Sequence, residues 1–175
     1  MSVQRAMEAA VRAHADQWRE GEFPLPYSTH PIEVLILLRY VGGVTDEAML
    51  CTAALHDTVE EGSMSFKAIA DSFGGHVEVL VRALTRREPS AEETAGLSKD
   101  EIWKLRADML LNEIGEMSPE AQTVKLADRL SNVRDAKRLK SGKKLNRYLW
   151  QTKRIIEIVP RSVNPGLWDA IKSEI

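Results

Sequence analysis

A chain of 175 residues with 43% hydrophobic and 29% charged side chains has the composition of a folded globular protein, which excludes a disordered tail and a fibrous repeat. One core of this size can bury roughly 70% of the unfolded chain's surface, so residues 1–175 are expected to form a single domain. The net charge of −2 hides a basic block: between residues 125 and 154 lie eleven Lys or Arg against only Asp128 and Asp135.

That block could line a pocket for phosphates, touch nucleic acid, or form a solvated helix face. Aromatic platforms for base stacking are sparse within it, so nucleic acid is not the expected partner. The longest unbroken apolar run, residues 34–38, is far shorter than the roughly 20 residues that span a bilayer, and residues 1–12 lack a signal-peptide apolar stretch. No membrane partner is expected. A single cysteine, Cys51, cannot form an intramolecular disulfide; it reads as a small buried hydrophobe, and a cytoplasmic location follows as the expectation. Oligomeric state has no signature here.

Apolar residues recur at helical spacing almost throughout, with no competing strand pattern or internal repeat. Val3, Met7, Val11, His14 and Trp18 follow steps of four, four, three and four, which predicts a first helix with all five on one apolar stripe. A Gly- and Pro-rich loop over residues 21–27 ends it. Pro31 opens a second helix running to Tyr40 or Val41, where Gly42 and Gly43 stop it. Thr45, followed by Asp46 and Glu47, caps a third helix that carries Leu50, Ala53, Ala54, His56 and Asp57 toward Gly62. Ser65 caps a short helix ending at Phe73 and Gly74, another covers residues 77–84, and residues 86–97 read as an exposed loop. Ser98 with Glu101 forms a capping box before a helix over residues 102–114, and Ser118 with Pro119 starts a long helix containing Asp128. A late helix over residues 145–159 is closed by Pro160, and Asn164 with Pro165 caps a final turn or two. The expected fold class is all-α. Trp18, Trp103, Trp150 and Trp168 fall on apolar helix faces and are expected in the core.

His30, His56, Asp57 and Asp128 supply two imidazoles and two carboxylates, a mixed nitrogen and oxygen set suited to a transition metal such as Mn²⁺ or Fe²⁺ with positions left for water. Such an ion lowers the pKa of bound water and polarises a phosphoryl oxygen. On a continuous helix Glu60 lies one turn beyond His56 and Glu61 one turn beyond Asp57, an acidic pair beside the ligands that could orient water or pass a proton. Mutual repulsion could leave either one protonated near neutral pH. Asn132 lies one turn after Asp128 and Lys125 just under one turn before it, so the three share a face. Taken singly, each residue also has an ordinary reading: His56 as a core histidine, His30 as a helix cap, Asp128 as part of a surface ion pair. The weight falls on the combination.

In that combination, the strings His14-x-x-Gln17-x-Arg19, Pro26-Tyr27-x-x-His30-Pro31, Ala53-Ala54-Leu55-His56-Asp57-Thr58-Val59-Glu60-Glu61, Phe73-Gly74, Leu84-Thr85 and Val124-Lys125-Leu126-Ala127-Asp128-Arg129-Leu130-x-Asn132 resemble the HD-domain hydrolases of the RelA/SpoT kind. The resemblance runs from the first helix to about Asp135, with a weaker match from Tyr148 onward. It implies a single HD-domain helical bundle, with His30, His56, Asp57 and Asp128 as ligands of Mn²⁺ and Glu60 and Glu61 as the acidic pair at the attacked phosphate. It further implies Asn132, with Lys125 beside it and Tyr148, at the substrate, and Arg19 packed against the base, a role that a planar guanidinium fills better than lysine. The implied reaction removes the 3′-pyrophosphate of guanosine tetra- or pentaphosphate. No synthetase domain fits in the remaining residues, so a stand-alone small alarmone hydrolase is expected.

Two departures bear on the substrate. Glu61 stands where the family usually has Asp, adding a methylene at a position where about 1 Å matters. Glu20 replaces a basic residue that commonly follows the base-stacking arginine, while Lys104 and Arg106 could grip the distal phosphates. These features leave open a phosphatase or nucleotidase for another nucleotide, such as NADPH with its 2′-phosphate, and a non-catalytic nucleotide-binding helical domain. His14 is expected behind the ligands or in the core, and His76 at the surface.

Overall fold

The computed structural model describes residues 2–60 and 63–175, and among these it is helical with no named strand. The elements are α1 (Val3–Ala13), α2 (Thr29–Tyr40), α3 (Glu47–Leu55), α4 (Phe66–Phe73), α5 (Gly75–Leu84), α6 (Ala91–Thr94), α7 (Lys99–Glu116), α8 (Pro119–Leu139), α9 (Gly142–Ile158), a 3-10 turn (Arg161–Val163) and α10 (Pro165–Glu174). The expected all-α class is what the chain adopts.

Two helices are central. Every residue of α3 from Ala48 to Leu55 is buried, as its apolar character on all sides requires, and α3 packs against α1, α2, α5 and α8. The longest helix, α8, contacts α2, α3, α5, α9 and α10. Val124, Leu126, Ala127, Leu130 and Val133 of α8 join α2, α7, α9 and α10 in one apolar cluster. A second cluster joins α1, α3, α4 and α5 around Ala6, Cys51, Leu55, Ile69 and Val81. Cys51 is fully buried and free, and burial pushes its thiol up to about 11, so it behaves as an inert small hydrophobe.

Local chemistry shifts several boundaries from the sequence expectation. The first helix stops at Ala13, so the stripe does not reach Trp18, which is 61% exposed and forms an isolated antiparallel bridge with Pro26. Trp150 is also exposed, so only part of the tryptophan expectation holds. Trp168 packs partly buried against the main cluster and donates its indole N–H to the Ile156 and Val159 carbonyls. The second helix begins at Thr29, two residues before Pro31, whose missing N–H costs nothing in a first turn. Asp46, not Thr45, caps α3, its carboxylate accepting from the Met49 N–H at 2.9 Å. Residues 86–97 hold the short α6 with its own capping box between Ser90 and Glu93. The final element is a ten-residue helix, because Asn164 caps the Leu167 N–H at 3.0 Å and anchors to the Gly42 carbonyl at 2.9 Å.

The largest correction concerns α3, which ends at Leu55 and does not run toward Gly62. The Thr58 hydroxyl and N–H both return to the Leu55 carbonyl, at 2.7 and 3.0 Å, and close the chain into a turn. His56 and Asp57 therefore sit just past the end of a rigid buried helix.

Close packing of α10 on the end of α2 depends on Gly166, where an added Cβ would run into the Val41 carbonyl. Gly166→Ala is expected to lower unfolding free energy by about 1–3 kcal/mol in a denaturant titration. Gly115→Ala, whose Cβ would meet only Ile158 at an ordinary 3.6 Å, is expected to be neutral or stabilising by up to about 1 kcal/mol.

Candidate metal centre and nucleotide cavity

Three elements converge on one buried point. The first turn of α2 supplies His30, the C-terminal cap of α3 supplies His56 with Asp57 following, and the middle of α8 supplies Asp128. One ligand atom each from His30, His56 and Asp128 lies within 4.8 Å of the others, and all three residues are buried. Asp57 flanks this group of three, with Oδ1 at 3.1 Å from His56 Nε2 and Oδ2 at 3.6 Å from His30 Nε2. Asp128 Oδ1 lies 3.3 Å from His30 Nε2 and 3.7 Å from His56 Nε2.

The donor set fits a divalent cation. His56 Nδ1 lies 2.9 Å from the Ala53 carbonyl, which only accepts, so Nδ1 carries the proton and Nε2 faces the cluster. That Nε2 is buried and faces the Asp57 and Asp128 carboxylates, at 3.1 and 3.7 Å. Burial opposes a charged imidazole, yet the Asp57 and Asp128 carboxylates outweigh it and push His56 up to about 9. Burial likewise opposes ionisation of the two carboxylates, but the His56 imidazole holds Asp57, and the Lys125 ammonium holds Asp128, below the usual range. The cluster is thus built to hold positive charge.

Lys125 and Asn132 share the α8 face with Asp128: Lys125 Nζ lies 2.8 Å from Asp128 Oδ2, and Asn132 Nδ2 donates to Asp128 Oδ1. Glu60 follows Asp57 in the turn, with its carboxylate 3.4 Å from both the Arg86 backbone nitrogen and the Arg86 guanidinium. Burial raises its pKa, against the pull of Arg86. Glu61 lies outside the described residues.

A cavity of about 260 Å³ opens beside the cluster, lined by His30, Tyr27, Arg19, Asn132, Tyr148 and Lys140 among others. Arg19 is held between Glu33, at 3.2 Å, and Asp135. Glu20 also lines this cavity, and its charge is met by Lys140 at 3.2 Å. Arg106 binds Glu88, which binds Arg86, so an ion-pair chain runs back to Glu60. Lys104 lies apart, paired with Asp108 and set 5.8 Å from the Trp150 ring centre. Part of the basic block is balanced from elsewhere in the fold: Arg134 and Lys137 pair with Glu174, and Lys143 and Arg147 with Asp100.

Several contributors carry little signal in the sequence. The Tyr27 hydroxyl donates to Asp57 Oδ2 at 2.8 Å, and the buried Arg129 guanidinium stacks 4.5 Å from the Tyr148 ring centre while bonding Gln151. Ser131 stands behind His30. Tyr27 falls inside a string shared with the resembled family, but nothing local marks it as a partner of Asp57. His14 is buried behind the site, its Nδ1 2.7 Å from Gln17 Oε1 and its ring 4.8 Å from that of Tyr27. His76 is exposed against Glu120.

An all-helical fold that gathers two histidines and two aspartates in this way defines an HD domain, and the HD-domain family matches residues 6–155. The chain belongs to that family. It is 35% identical over 136 residues to the guanosine-3′,5′-bis(diphosphate) 3′-pyrophosphohydrolase MESH1 of Xenopus tropicalis, covering 78% of this chain and 70% of that one. Identity is again 35% to the Homo sapiens protein of the same name, over 133 residues, 76% of this chain and 68% of that one. A solved structure described as a metazoan ortholog of SpoT that hydrolyses ppGpp superposes with a TM-score of 0.83 at 27% identity, covering 98% of this chain and 92% of the other.

Cation binding must expel the proton that the carboxylates hold on His56. The apparent affinity for a divalent ion is therefore expected to rise by about tenfold per unit as pH climbs from 6.5 toward 9, and to level off above that. In the metal-free protein the same proton contributes stability below pH 6.5 that is lost as pH rises through about 9. Titrating chelator-stripped protein at stepped pH checks the first; a flat profile would contradict it.

Proposed function

We propose that the chain is a Mn²⁺-dependent hydrolase that removes the 3′-pyrophosphate of guanosine tetra- or pentaphosphate, working as one domain over residues 1–175. The observation that carries the reading is the buried cluster of His30, His56 and Asp128, with Asp57 against both imidazoles, beside a cavity lined by Arg19, Asn132 and Tyr148, in a chain similar to proteins named for this reaction. The proposed partner is a small-molecule nucleotide, with neither nucleic acid nor membrane involved and a cytoplasmic setting. No helix among the described residues is long and apolar enough to cross a membrane.

The four ligands would hold Mn²⁺, which supplies Lewis-acid polarisation of the phosphoryl group and activation of water. The surrounding side chains do the rest. Lys125 presents its ammonium at the carboxylate-rich end of the cluster, where it offsets charge on an incoming phosphate. Arg19, pinned by Glu33 and Asp135, offers a fixed guanidinium plane at the cavity wall for the base. Asn132 and Tyr148 line the same wall, the latter held in place by Arg129, and bear on the ribose and phosphate. Arg106, joined to Glu60 through Glu88 and Arg86, is proposed for the distal phosphates, while Lys104, paired with Asp108, is proposed only for an outer part of the surface.

The net reaction adds water across the bond between phosphorus and the ribose 3′-oxygen. Hydroxyl goes to phosphorus, the proton goes to the 3′-oxygen, and pyrophosphate leaves. Glu60, half-withdrawn from solvent and biased by burial toward its protonated form, is the group in this structure suited to move that proton, with Glu61 proposed as its neighbour in the task. The balance of Glu20 by Lys140 offsets one of the two sequence features that pointed to a different nucleotide.

Incubation with guanosine tetraphosphate and Mn²⁺ is expected to yield guanosine diphosphate and pyrophosphate in equal amounts. Asp57→Ala, at unchanged helicity, is expected to cut this by more than the about 100-fold that loss of an indirect metal partner can cost. Glu60→Gln should lower turnover by about 10²–10⁴-fold while leaving metal affinity unchanged. Release of inorganic phosphate in place of pyrophosphate would assign the site to another substrate.

A further inference from the structure

His30 presents Nε2 to the cluster, and its other ring nitrogen begins a chain of contacts that leads out of the core. Nδ1 lies 3.1 Å from the hydroxyl of Ser131, a residue with no exposed surface. That hydroxyl donates to Glu33 Oε2 at 2.9 Å, and the same oxygen receives Arg19 Nη1 at 3.2 Å.

The direction of this chain is determined by chemistry. An ionised carboxylate only accepts, and a serine hydroxyl has one proton to give. Once Ser131 donates to Glu33, it can only accept from His30. Nδ1 must then carry the proton, which leaves the Nε2 lone pair free for a cation. With no acceptor at residue 33, the hydroxyl could turn and donate to Nδ1, placing the proton on Nε2 and blocking the ligand position.

We infer that Glu33 is a positioning residue that sets the ligating tautomer of His30 through Ser131, and that Arg19 holds Glu33 in the orientation this requires. Resting on the reading of His30 as a metal ligand, this gives Arg19 a second role at the cavity wall. One carboxylate oxygen thereby joins the metal centre to the side chain proposed for the nucleotide base. His56 needs no such device, because a backbone carbonyl already fixes its Nδ1 proton.

Glu33→Met keeps the length of the side chain but offers Ser131 no carboxylate oxygen, which frees the hydroxyl to turn toward Nδ1. Mn²⁺ affinity, measured on the full chain at pH 8 by competition with a chelator, is expected to fall about 10–100-fold in Glu33→Met and in Ser131→Ala. Glu33→Asp, which keeps an acceptor-only group, should recover part of the loss. Circular dichroism at 25 °C should match wild type in all three variants. Ser131→Ala separates the relay from the Arg19 contact, since it leaves the Glu33–Arg19 pair intact. Wild-type affinity in Glu33→Met, or a loss in Glu33→Met with none in Ser131→Ala, would overturn the role assigned to the relay. A wild-type chain that takes up no Mn²⁺ would overturn the metal reading itself and the inference with it.

Discussion

A carboxylate buried in the middle of a long helix is tolerable only if positive charge and hydrogen bonds surround it, and Asp128 is such a group. Lys125 and Asn132 reach it from its own helix, and the two imidazoles reach it from α2 and α3. The apolar faces of α8 bring these three helices together, so the core that folds the protein also aligns the ligands. Removing Asp128 would leave Lys125 and two histidines facing one another in the interior. Stability and chemistry therefore share one residue.

The groups around the cluster are held by short links, each with a clear direction. A backbone carbonyl orients His56, a phenol orients Asp57, and a serine backed by a carboxylate stands behind His30. Such partners matter because a ligand misplaced by about 1 Å loses much of what geometry provides. The cavity wall is built in the same manner: Arg129 supports Tyr148 from below, and two acidic residues pin Arg19. Part of the basic block is balanced by acids from other elements, Glu174, Glu20 and Asp100, and part by its own Asp128 and Asp135.

Much of this was legible before any coordinates. Helical spacing and caps revealed the all-α class, and the strings around His30, His56-Asp57 and Asp128 pointed to one centre, because ligand chemistry is tied to residue type and order. What stayed hidden depends on contacts between distant parts of the chain. Ser131 and Glu33 are 98 positions apart, and Tyr27 and Asp57 are 30 apart, so nothing local marks either pair. Periodicity carries α3 on toward Gly62, whereas a threonine three residues past Leu55 captures its carbonyl, an option that spacing does not register. Spacing alone puts Trp18 on the apolar stripe, and the early end of α1 exposes it.

Whether His30, His56, Asp57 and Asp128 together hold one divalent cation is tested most directly by crystals grown with Mn²⁺ and measured at the manganese absorption edge. One strong anomalous peak per chain is expected among these four side chains, with His30 and His56 bound through Nε2. No peak there, or a peak on other residues with the cluster empty, would contradict it.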